Sequence, residues 1–112
     1  MRFRRALGRG NVTEALSAAS ELQFVGLVEA LELTLLLADK GPEKYDRAAA
    51  RWHVRFLQEV PNVDLREDQA VLALLAAIPA NRLAAAGLAE FLSGRRSCER
   101  IAEALVRWSR AA

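Results

Sequence analysis

The chain has 112 residues, enough for one domain, and its 53% hydrophobic content against 27% charged lets it bury a core. Ala and Leu supply 22 and 18 residues, whereas Val, Ile and Thr together supply 12 and there are only 6 Gly and 3 Pro. That balance favours helix and excludes all-β, collagen-like, disulfide-stapled and low-complexity classes, while a formal charge of +2 is too small to mark a nucleic-acid protein by its total.

A short basic segment, Arg2 to Leu7, stops at Gly8 and Gly10. Asn11 followed by Glu14 then forms a capping-box pattern that opens a helix to about Leu22. Within it, Gly10-Asn11, Glu14-Ala15-Leu16 and Ala18-Ala19 resemble the second helix of a tetratricopeptide-type repeat over about 13 residues. No 34-residue recurrence accompanies them, so the resemblance is to a helical hairpin and assigns no family. The next helix, roughly Gly26 to Lys40, is apolar round most of its circumference, with Glu29 and Glu32 on one narrow polar edge. Such a helix is either central or covered by a partner. Gly41 is expected to close it as a left-handed cap, with Pro42 the first residue of the succeeding helix.

From Pro42 to about Glu59, Tyr45, Ala48, Ala49, Trp52, Phe56 and Val60 fall at helical spacing. Pro61 and Asn62 break that helix, and Asp64 with Glu67 gives a second capping box. The helix it opens is assigned a stripe of Leu65, Leu72, Leu75 and Ile78, ending at Pro79. A further helix, about Asn81 to Ser93, is expected to bury Leu83, Ala84, Leu88, Phe91 and Leu92. The last, about Ser97 to Arg110, carries Cys98, Ile101, Ala102, Leu105 and Trp108 on one side. The expected fold is therefore all-α: a compact single-domain orthogonal bundle of five to seven helices, or a short solenoid-like array of helical hairpins. Residues 1–10 form its basic N-terminal segment.

Lys44, Arg47, Arg51 and Arg55 recur at steps of three, four and four and so stack on one helix face. They are either a track for phosphates or an acidic partner, or an ordinary solvated face whose Arg stems cover apolar surface. Both ends of the chain are also Arg-rich, and Arg95 and Arg96 precede the last helix, where the dipole gives a cation nothing. Leu27, Leu31 and Leu35 are the candidate apolar interface, on the argument that a nearly all-apolar helix can be covered by a second chain. His53, the single histidine, lacks a recognisably spaced nucleophile, orienting carboxylate or oxyanion site and reads as a packed or half-exposed side chain. Cys98 sits where a helix N-terminus and Arg neighbours could activate a thiolate, but reads as a buried small hydrophobe. One Cys and one His make no metal or redox centre. The pairing of the last two helices has only part of a helix-turn-helix character.

These readings converge on a non-enzymatic protein–protein interaction or adaptor module. It is expected to bind a protein partner or itself, to take no cofactor or metal, and to sit in the cytoplasm, without a membrane span or secretory signal. The alternative is a nucleic-acid-binding accessory protein that uses the Lys44/Arg47/Arg51/Arg55 stripe and the terminal arginines. A small enzyme working through His53 or Cys98 ranks last.

Overall fold

The structure, a computed structural model, describes residues 2–13 and 25–111. Six α-helices and no strands are found among them: α1 (Arg2–Gly8), α2 (Leu27–Lys40), α3 (Tyr45–Glu59), α4 (Leu65–Ala77), α5 (Leu83–Leu92) and α6 (Glu99–Arg110). The all-α, multi-helix expectation holds. The helix expected from Asn11 to about Leu22, with its Glu14 cap and the hairpin-like segment, lies outside the described residues past Thr13.

Local chemistry sets the boundaries. Gly10 adopts φ +69 after α1, while the Asn11 amide donates to the Ala6 carbonyl and the Gly10 amide to that of Leu7. This pair of bonds satisfies two end carbonyls, and the left-handed residue between them suits glycine. Gly41 departs from the expected left-handed cap. Its φ is −151, and its amide donates to the Leu37 carbonyl. A Cβ there would lie 3.2 Å from the Leu37 side chain, so what glycine supplies is close approach. Pro42 opens a single 3₁₀ turn, Pro42–Lys44, before α3 begins. At α4 the capping box forms in full: the Asp64 carboxylate accepts from the Glu67 amide, and the Glu67 carboxylate accepts from the Asp64 amide.

The main core joins α2 to α6. Tyr45, Trp52 and Phe56 from α3 pack with Leu31 and Leu35 of α2, Val71 and Leu75 of α4, Leu88 and Leu92 of α5, and Ile101 and Leu105 of α6. Trp52 stacks on Phe56 with centroids 5.3 Å apart. Both polar aromatic atoms in this core are bonded, as burial demands. The Tyr45 hydroxyl donates to the Leu75 carbonyl at 2.7 Å, and the Trp52 indole donates to the Leu27 carbonyl at 2.9 Å. Burial pushes the Tyr45 phenol far above its ordinary range, so it remains a donor. A smaller cluster, Phe3 and Ala6 with half-buried Leu33 and Leu36, docks the basic α1 onto α2.

Two phase assignments change. Leu65 and Leu72 do not belong to the buried stripe of α4; Val71, Leu75 and Ile78 do. Leu83 and Phe91, expected inside, are on the outside of α5, with Ala84, Ala85, Leu88, Ala89 and Leu92 facing in. Both helices are apolar on nearly every side, so hydrophobic periodicity has no polar face against which to set its phase.

Candidate functional site

The candidate apolar interface resolves into core. Leu31 and Leu35 are buried, and half-buried Leu27 packs against the same cluster. No residue from Leu27 to Ala38 is exposed, and Leu31 and Leu35 are core residues of their own chain. Its polar edge is equally engaged. Arg4 reaches Glu32 at 2.5 and 2.6 Å and Glu29 at 2.7 Å, while Arg100 and Arg107 stand 3.6 and 3.7 Å from the same two carboxylates. Arg4 of α1 and Arg100 and Arg107 of α6 therefore converge on α2, three cations facing two carboxylates.

Two other arginines are structural. Arg95 donates to the Pro61 and Asn62 carbonyls at 2.9 and 3.0 Å and pairs with Glu67. One guanidinium thus ties the loop before α6 to the corner between α3 and α4, where Asn62 turns at φ 61. The hydrogen bond from Arg95 is the main reason the Glu67 carboxyl is held below the usual carboxylate range, with the Asp64 amide adding to it. Arg82 grips Asp39 at 2.9 and 3.3 Å and donates to the Trp108 carbonyl at 2.9 Å. It also lies 3.8 Å over the centre of the Trp108 ring, whose indole N–H donates to Asp39 at 2.9 Å. The ends of α2 and α6 and the start of α5 meet at this knot.

The basic stripe divides. Lys44, Arg47 and Arg51 are exposed and make no ion pair among the described residues. Arg55 is half-buried and donates to Glu59 at 2.9 Å, one turn on. His53 bridges to Asp68, an α3–α4 contact absent from any sequence spacing rule because the partners are 15 residues apart. The two side chains are only 13% and 27% exposed, and the imidazole serves to hold two helices together. Cys98 is fully buried, and burial pushes its thiol up, away from the reactive thiolate.

Val54 and Leu57 of α3 and Leu65 at the start of α4 are exposed, and a further run of exposed apolar surface lies on the α4–α5 hairpin. From Gln69 to Asn81 there is no charged residue, and none from Leu83 to Ala89. Leu72, Leu83 and Phe91 are 48%, 73% and 43% exposed, with Ala73, Ala76, Ala77, Pro79 and Ala80 also exposed. Leu83, Gly87 and Phe91 follow one another at intervals of four, forming a ridge; a Cβ on Gly87 would touch the Leu74 side chain at 3.6 Å. Arg82, the one cation between these runs, is turned into the Asp39–Trp108 knot. Sequence reasoning passed over this surface because it assigned Leu72, Leu83 and Phe91 to the core. The usable signal was the length of the charge-free run, 13 residues from Gln69 to Asn81, nine of them on a helix needing only one apolar side.

No helix among the described residues is long and apolar enough to cross a membrane. Among known proteins, no family model, curated protein or solved structure matches the chain.

Proposed function

We propose that the protein is a non-enzymatic interaction module that binds a protein partner in the cytoplasm through the outer face of the α4–α5 hairpin. The observation that supports this reading is the set of large exposed side chains on adjoining helices, Leu72 and Leu83 within charge-free runs and Phe91 just past Glu90, in a chain whose other apolar helix is mostly covered. Exposed apolar groups scattered singly are ordinary, whereas several on adjoining helices with few charges among them, here the exposed Glu90 beside Phe91, give a contact surface. Large apolar anchors of this kind carry most of the energy when a pocket on a partner closes over them. The test is affinity capture with wild type and the Leu83→Asp/Phe91→Ser variant. Both positions are exposed, so the variant should keep its helicity by circular dichroism. Loss of a stoichiometric partner in the variant is the expected result. Retention of every captured protein removes the surface from consideration.

A second reading rests on Lys44, Arg47 and Arg51, which stay exposed and unpaired among the described residues. Three cations over about 10 Å of helix would contact two or three phosphates of a nucleic acid. Each contact contributes about 0.9 to the slope of log affinity against log salt on duplex DNA. Arg47→Glu/Arg51→Glu should therefore lower that slope by close to two, and an unchanged slope excludes the stripe.

A further inference from the structure

We propose that two copies of this chain associate through the groove between α5 and α6, with α6 lying antiparallel to α6 of the second copy across a two-fold axis near Val106. The inference goes beyond the α4–α5 surface and does not depend on it, because neither Leu83 nor Phe91 lines this groove.

The groove is about 790 Å³ and is floored by Ala86, Ala89, Ala102 and Val106. Small residues on both walls let a helix backbone approach closely, as a helix-on-helix contact requires. The charges along it are separated in space. Glu90 and Glu103 stand toward the α5–α6 loop, and Arg107 and Arg110 stand toward the end of α6. Glu103 and Arg107 have the i,i+4 spacing of a helical ion pair, yet Arg107 turns to Glu32 instead. Glu90, Glu103 and Arg110 make no ion pair among the described residues and are all exposed.

A single helix gains a little from acids near its start and cations near its end. That explains the polarity of α6 but not Glu90, which is near the C-terminal end of α5, where the dipole disfavours an acid. The fold brings Glu90 and Glu103 to the lining of one groove, and together they give it an acidic half facing a basic one. A surface with this pattern is complementary to itself after a two-fold rotation. The midpoint between residues 103 and 110 falls between Val106 and Arg107. Antiparallel α6 helices about that point set Glu103 of each copy opposite Arg110 of the other, with Val106 of each copy level with Arg107 of the other and one residue's rise from the second Val106. A two-fold contact uses each pair twice, so four charges are satisfied that have no partner in the described chain.

The decisive experiment is sedimentation equilibrium of the full chain up to about 1 mM, which detects even a dimer with a Kd in the millimolar range. It is run on wild type, Glu103→Arg, Arg110→Glu and the double reversal Glu103→Arg/Arg110→Glu. Wild type should approach twice the 12.3 kDa monomer mass. Each single reversal should raise the dimer Kd about tenfold or more, since it puts like charges in contact twice. The double reversal should recover most of the loss, and this rescue separates a direct pairing from a change of fold. A monomer at every concentration overturns the proposal, as does a dimer that ignores both single reversals. Leu83→Asp/Phe91→Ser, run in parallel, should leave the dimer intact; dimer loss in that variant alone would move the contact to the α4–α5 face and also overturn the proposal.

Discussion

Replacing Arg82 with Ala and with Lys separates the forces that close the knot between α2, α5 and α6. The Asp39 pair is about one-third exposed on each side, so it contributes no more than about 0.5–1 kcal/mol. The guanidinium over Trp108 adds about 0.5–1 kcal/mol, and the hydrogen bond to the Trp108 carbonyl about as much again. Arg82→Ala should therefore cost about 2 kcal/mol. For a domain of this size the melting temperature falls by roughly 8–10 °C. Arg82→Lys keeps the charge but loses the planar fork that meets both Asp39 oxygens and stacks on the indole. If stacking and geometry dominate, as the partial exposure of the ion pair argues, Lys recovers less than half of the loss. Urea unfolding of the three proteins, repeated in about 0.5 M salt, reads this directly. A Lys variant within about 0.3 kcal/mol of wild type would show that simple charge attraction holds the knot, and the reasoning would be refuted.

Three further outcomes rest on buried or bridged groups. Glu67 has its carboxyl held below the ordinary range by Arg95, so its ionised form stabilises the fold. That contribution is complete above the unfolded-chain value of about 4.3 and disappears as pH falls below it through the folded value. In Glu67→Gln, melting temperature measured from pH 6 to pH 3 should fall less steeply than in wild type; parallel curves would contradict the Arg95–Glu67 assignment. Cys98 is enclosed with its thiol raised, so a thiol reagent at pH 8 should react only as fast as the protein unfolds, and adding about 2 M urea should accelerate it. Prompt labelling in native buffer would mean that the α6 N-terminus is open. Trp52→Phe removes the indole donor from the Leu27 carbonyl while leaving a ring against Phe56, and should cost about 1–3 kcal/mol by denaturant titration. A neutral result would remove this bond from the reasons α2 and α3 stay joined.

The sequence was informative where structure is local. The Asp64–Glu67 capping box, the stops at Gly10 and Pro61, and the stripe Tyr45–Ala49–Trp52–Phe56 each depend on residues within one or two turns, and the fold realises them. Phase was legible in α3 because charged residues occupy its outer face. It was not legible in α4 and α5, where apolar residues surround the axis and only packing against neighbours chooses the buried side. This misplacement hid Leu72, Leu83 and Phe91. The opposite error attached to α2, whose apolar girth fits either a central helix or a covered one; α1 and the main core enclose it. The roles of Arg82 and Arg95 were invisible for another reason. Their partners, Asp39 and Glu67, are 43 and 28 residues away, and no local pattern links them. Arginines that looked available to a partner are spent on holding helix ends together, which is why a basic chain leaves only Lys44, Arg47 and Arg51 of its central stripe free among the described residues.

Site-specific photo-crosslinking in living cells tests the central proposal most directly, with the crosslinker placed in turn at the exposed positions Leu83 and Lys44. Contact through the α4–α5 face predicts a discrete protein adduct from position 83 and none from position 44. An adduct confined to position 44, above all one destroyed by nuclease, would contradict it and place the working surface on the α3 arginines.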